Sequence, residues 1–179
     1  MDRRNFLRST LGLLAASGVG ALAVTAMRGD KTMAATQGGK DFEKLAKTKN
    51  EWKELLPREA YWVLFEEGTE RPGTSSLLDE KRPGKFVCAA CFLPLFDAGT
   101  KFESGTGWPS FWDFLPGRLE TKTDWKLVLP RTEYHCARCG GHQGHVFDDG
   151  PRPTGKRYCN NGVALRFVPE GEALPALRS

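Results

Sequence analysis

Long apolar runs are missing from this chain once its first thirty-five residues are set aside, and no later segment approaches the roughly 20 residues needed to cross a membrane. A dominant charge is missing too. The 26 Lys and Arg against 22 Asp and Glu leave a net +4, with the basic residues scattered among acidic ones. That balance describes a solvated surface and argues against a nucleic-acid partner, which needs a concentrated basic patch. Cysteine is scarce at five residues and histidine at three, and apart from two cysteine pairs the chain carries no internal repeat. What it does have is 40 % hydrophobic residues, 11 % of the chain aromatic, enough for one packed core. Twenty glycines and eleven prolines favour many turns and short strands over a helix bundle.

The N-terminus differs from the rest. Paired arginines in Asp2-Arg3-Arg4-Asn5-Phe6-Leu7-Arg8 precede an apolar stretch from Leu11 to Ala26 rich in Gly and Ala. This resembles a twin-arginine export signal over residues 1–35, with candidate cleavage sites after Ala26 or Ala35. The resemblance implies a periplasmic or cell-envelope location, with membrane contact only during export or through an uncleaved, anchoring signal. Residues 36–50 read as a linker with a short helix, and residues 51–179 as the functional domain.

Within that region, Asp41 to Lys47 and Asn50 to Leu56 are predicted as brief helices, the second capped by Asn50. Pro57 and Arg58 open a third, Glu59 to Glu66, ended by Gly68. Arg71 to Gly84 reads as loop. Strands are expected at Lys85 to Val87, Leu95 to Phe96, Leu119 to Thr123, Trp125 to Leu129, Thr132 to Cys136, His145 to Phe147 and Val163 to Phe167. The expected class is α+β, with short N-terminal helices on a mainly antiparallel sheet core.

The cysteines sort into four plus one. Cys88 and Cys91 form one CxxC pair and Cys136 and Cys139 another, a pattern that completes a tetrahedral S4 shell for one structural Zn2+. Gly140-Gly141 supplies the backbone freedom of a turn beside a metal. Disulfides, or a redox-active CxxC, are the other readings of such pairs. The fifth, Cys159, is either an inert buried thiol or a reactive one. Arg157 nearby and the asparagines after it favour the thiolate, the nucleophilic form.

Three segments decide between these alternatives: Gly105-Thr106-Gly107-Trp108-Pro109-Ser110-Phe111, Gly144-His145-Val146-Phe147-Asp148-Asp149-Gly150-Pro151, and Arg157-Tyr158-Cys159-Asn160-Asn161. Together with the two CxxC pairs they closely resemble the methionine-R-sulfoxide reductase (MsrB) family, from roughly Glu51 to Phe167. The resemblance implies a zinc-bearing, sheet-rich fold with a knuckle of Cys88, Cys91, Cys136 and Cys139. It implies that Cys159 attacks the sulfoxide sulfur and that His145, with His142 three residues before it, supplies the proton the leaving oxygen needs. Asn161 falls on a position that holds substrate or the hydrogen bonds of the site. Trp108 falls on the aromatic wall for the substrate methyl, with Phe111, Asp149 and Arg157 as further substrate-side support. The implied partners are oxidised methionine in proteins or peptides and a thioredoxin-like reductant. Many family members carry a resolving cysteine where Thr106 stands, so here the sulfenic acid left on Cys159 is expected to meet an external thiol. A zinc-ribbon binding module without catalysis is the rival from another class.

Overall fold

The computed structural model describes residues 41–126 and 129–179, so the expected export signal and the start of the linker lie outside the described residues. Helix α1, Lys49–Leu55, is one residue earlier than its sequence signal because Thr48, not Asn50, caps it. The Thr48 hydroxyl accepts from Glu51 N at 3.3 Å while the Glu51 carboxylate accepts from Thr48 N at 2.7 Å, a reciprocal pair that satisfies two end donors. Helix α2, Arg58–Glu66, follows Pro57 and buries Ala60, Tyr61, Val63 and Leu64, the spacing of one helical face. It ends at Glu67 in the left-handed conformation, φ 53°.

Residues 41–47 form no helix. A single short turn cannot offset its nucleation cost, and tertiary contacts take the segment instead. Leu45 N donates to Arg138 O at 2.8 Å, and the Arg118 guanidinium lies over the Phe42 ring at 5.3 Å.

Among the described residues nine strands follow: β1 Gly84–Cys88, β2 Pro94–Asp97, β3 Lys101–Phe102, β4 Ser110–Phe111, β5 Leu119–Asp124, β6 Arg131–Cys136, β7 His142–Phe147, β8 Arg157–Asn160 and β9 Leu165–Pro169. They make two sheets, ordered β2-β1-β9 and β3-β4-β8-β7-β6-β5, with every pairing antiparallel. Phe86 and Phe96 of the small sheet close on Phe111 of the large one, with centroids 5.0 and 4.1 Å apart. The core therefore sits between the sheets, with Trp52 and Leu64 of the two helices joined to it. The α+β reading with a mainly antiparallel core holds.

Several boundaries move. The expected strand at Trp125 to Leu129 is absent among its described residues: β5 stops at Asp124, and Trp125 and Leu129 are exposed on a hairpin tip. The expected loop from Arg71 to Gly84 contains a short 3-10 turn, Ser76–Leu78. Another such turn, Gly162–Ala164, occupies the start of the expected last strand. β7 begins three residues before its predicted start, which brings His142 onto the same strand as His145. β3, β4 and β8 had no strand signal. β8 nevertheless lies inside the large sheet, where Gly144 of β7 faces Asn160 and a Cβ on that glycine would stand 1.9 Å from Cys159 O.

Candidate active site and metal cage

Two short loops deliver the four paired cysteines to one place. Cys88 ends β1 and Cys136 ends β6, so the two CxxC turns come from different sheets. All four Sγ atoms lie within 4.8 Å of one another, with Cys88–Cys139 at 3.7 Å and Cys91–Cys136 at 3.5 Å. A tetrahedral shell with metal–sulfur bonds of about 2.3 Å has sulfur–sulfur edges of about 3.8 Å. The cage therefore has the dimensions of a metal site, and among the described residues no disulfide forms. Gly140 turns between Cys139 and β7 at φ 73°. Burial pushes the Cys88 thiol far up, so thiolates here depend on a cation to balance them.

The fifth cysteine stands apart. Cys159 on β8 lies directly across from His145 on β7 and from Ser110 on β4. A cavity of about 120 Å³ opens over it, lined by Thr69, Trp108, Arg131, His145, Phe147 and Asn161 among others. Trp108 is fixed because its Nε1–H donates to Glu70 O at 2.9 Å. Asn161 braces the same strand of chain, accepting from Glu70 N and donating to Gln143 O, both at 2.9 Å. Behind the thiol, Ser110 donates to Ser104, whose hydroxyl is 2.8 Å from Thr106. Arg157 pairs with Asp149 through two bonds of 2.8 Å and covers the Phe147 ring at 4.3 Å.

From sequence, Arg157 and its neighbours are expected to favour the thiolate. Burial wins instead and raises the Cys159 thiol above its ordinary 9.0, against the opposing pull of Arg157 and Thr106. Alkylation of Cys159 by iodoacetamide, followed on its own peptide by mass spectrometry, is therefore expected to accelerate up to a midpoint above pH 9.0. Removing the nearby cation in Arg157→Leu moves that midpoint higher still. A plateau reached near neutral pH is the contrary result.

The histidines are backed by carboxylates that sequence reasoning missed. His145 Nε2 is 2.8 Å from Asp124 Oδ2, and Arg131 Nη2 donates to that same oxygen at 2.7 Å. Burial lowers His145 below its ordinary 6.5, with Arg131 and His142 acting the same way and Asp124 opposing. The shift favours the neutral ring. Asp124 itself sits well below the carboxylate range, held there first by the Lys126 backbone N–H, then by His145 and Arg131. His142 is buried and does not line the cavity. Its Nδ1 is 3.0 Å from Glu133 Oε1, too poorly aligned for a hydrogen bond, and its ring meets His145 edge-on at 5.5 Å.

Three of the four residues expected on the substrate side do not line the cavity. Phe111, expected against the substrate, is fully buried between the sheets, because β4 alternation turns it away from the cavity. Arg157 and Asp149 flank the cavity without lining it. Asp124 and Arg131 had one available signal: they bracket the turn between two polar, alternating segments, at the hairpin base where side chains face one another.

A lone thiol facing a histidine–carboxylate couple, on a sheet tied to its neighbour by a four-cysteine cage of metal-site dimensions, defines a thiol enzyme. The SelR domain model matches residues 56–169, and the chain belongs to that family. Its relatives include the peptide methionine sulfoxide reductase MsrB of Leifsonia xyli, 52 % identical over 75 % of this chain and 98 % of that protein. The protein of the same name from Methanosarcina barkeri is 52 % identical over 70 % of this chain and 89 % of its own length. A chloroplastic peptide methionine sulfoxide reductase of Arabidopsis thaliana is 50 % identical over 67 % of this chain and 60 % of its own.

Proposed function

We propose that the chain reduces methionine-R-sulfoxide, in peptides and proteins, to methionine. The observation that carries this reading is the register of β7 on β8, which sets His145 opposite Cys159 beneath Trp108 in one small cavity. The substrate methyl packs on the indole face, and its sulfur meets the Cys159 thiol. His145, neutral and with Nε2 engaged by Asp124, uses its other ring nitrogen to take the thiol proton and return it to the sulfoxide oxygen. The sulfur–oxygen bond of the substrate breaks as oxygen passes to Cys159. The sulfide leaves as methionine, and the two-electron oxidation stays on the enzyme as Cys159–SOH. Two equivalents of an external thiol, delivered by a thioredoxin-like protein, then restore Cys159, releasing one disulfide and one water. Arg157 and Thr106 hold negative charge that develops on the sulfur during attack. His142 and Glu133 hold the His145 ring from behind, and Asn161 keeps Trp108 and the nucleophile strand in step.

The cage is read as a structural zinc site, since four closed thiolate ligands fit that ion and leave no open position. When bound, the ion supplies a fixed crosslink between the two sheets. The Arg3-Arg4 signal supports export by a twin-arginine route to the periplasm or cell envelope.

The test is turnover of separate R- and S-sulfoxide substrates with dithiothreitol, where only the R epimer is expected to react. His145→Ala is expected to slow the single-turnover rate by about 10²–10⁴-fold with the fold retained. Because the working ring is the neutral one and its titration is shifted down, the acid limb of kcat/KM is expected below pH 6.5, activity falling as pH drops through it. An unchanged rate in His145→Ala removes that residue from the mechanism.

A further inference from the structure

The catalytic cavity, at about 120 Å³, is smaller than the roughly 300–1,000 Å³ of small-molecule sites and takes little beyond one side chain. A second concavity of about 720 Å³ begins where it stops. Thr69 lines both, and from there the larger groove runs over the outer face of α2 past Trp62, Arg58 and Lys53. Nothing in the reaction chemistry uses it.

Its construction differs from that of ordinary surface. Trp62 is 44 % exposed, an unusual position for an indole on a helix whose other aromatic face is buried. The ring lies against Gly68, where a Cβ would stand 2.4 Å from the indole Cδ2. A glycine at 68 thus lets the indole lie flat on the chain that leads to Thr69. Around it, Lys53, Arg58 and Arg71 make no ion pair with any described acid, and Glu59 and Glu66 add carboxylates that pair with no described base. A flat apolar ring with unpaired charges of both signs suits the mixed side chains and amide groups of a polypeptide, more than a phosphate or a lipid surface.

We propose that this groove is the subsite for the polypeptide flanking the oxidised methionine. The substrate segment lies over Trp62 while its sulfoxide side chain enters the catalytic cavity past Thr69. This rests on the proposed reductase activity and deepens it by assigning the surface on which the substrate chain lies. Extended chain advances about 3.3 Å per residue, so several residues on one side of the sulfoxide contact the groove.

The experiment compares two substrates with dithiothreitol as the sole reductant: N-acetyl-methionine-R-sulfoxide amide and a twelve-residue peptide with one central methionine-R-sulfoxide. Trp62→Ala is expected to raise KM for the peptide about ten-fold, as loss of a tryptophan anchor does, with kcat unchanged. On the small amide its kcat/KM stays within about two-fold of the parent. Gly68→Ala, which displaces the indole without removing it, is expected to act in the same direction. Equal effects on the two substrates, or none on either, overturn the groove assignment while leaving the reductase reading intact. A defect that appears only with a protein reductant assigns the groove to that reductant, and a change in the size of the eluting species assigns it to a second copy. Either result also overturns the proposal. Absence of turnover on both substrates by the unmodified protein instead overturns the reductase reading itself.

Discussion

A Cys88→Ser protein is expected to bind no metal and to lose its folded state. Cys88 is fully buried at the end of β1, and its sulfur lies 3.7 Å from that of Cys139, fifty-one positions along the chain. The cage thus joins the small sheet to the end of β6 in the large one. Apparent binding free energies for structural zinc run to about 10–16 kcal/mol in small peptides, comparable with or larger than the 5–15 kcal/mol that holds a typical domain. Serine keeps the size of the side chain but offers no thiolate, and it leaves three sulfurs crowded around an incomplete shell. Elemental analysis and near-ultraviolet circular dichroism check this. The parent protein should carry about one zinc per chain, and the variant neither metal nor a structured aromatic signal. A metal-free protein that keeps its fold and its activity is the result against it.

The second large effect is at the proposed nucleophile. Cys159→Ser is expected to lower sulfoxide reduction by about 10⁴-fold or more while folding normally, since a hydroxyl cannot take the sulfoxide oxygen and the cage is untouched. The parent enzyme without reductant should release about one mole of methionine per mole of protein and then stop. Its sulfenic acid then persists, because Thr106 offers a hydroxyl and the remaining four cysteines are gathered in the cage. A dimedone-type probe should label Cys159 after one equivalent of sulfoxide. Non-reducing mass spectrometry showing Cys159 joined to Cys88, Cys91, Cys136 or Cys139 would falsify this account.

The cysteine quartet was legible because metal chemistry is written in spacing, and two CxxC turns demand convergence wherever the chain runs between them. The histidine and thiol were legible through short motifs in fixed order. Asp124 and Glu133 were not, although they contact the two histidines. Their partnerships are set by the register of β5 on β6 and β6 on β7, and nothing local to either carboxylate announces a partner nine or twenty-one residues away. Strand β8 was missed for a related reason. Arg157-Tyr158-Cys159-Asn160 has no apolar alternation, since a strand enclosed by neighbours on both edges at a polar site draws its stability from pairing rather than burial. The rise in the Cys159 thiol was hidden as well, because sequence displays the cation at Arg157 but not the burial that outweighs it. Residues 41–47 failed in the opposite sense, their helical composition overruled by the backbone bond from Leu45 to Arg138.

Gly144 shows how narrow the tolerance of this site is. A methyl group there would fall 1.9 Å from the carbonyl oxygen of Cys159 and 3.2 Å from the Asn160 Cα, both backbone atoms that cannot swing aside. Alanine is the mildest replacement available, yet it would wedge the histidine strand away from the thiol strand at the residue between His145 and Gln143. Position 144 is thus barred to every side chain, polar or apolar, by interstrand clearance alone. Variation among functional descendants of this sequence must therefore pass around it, through changes on the outer faces that leave the gap between these two strands as it is.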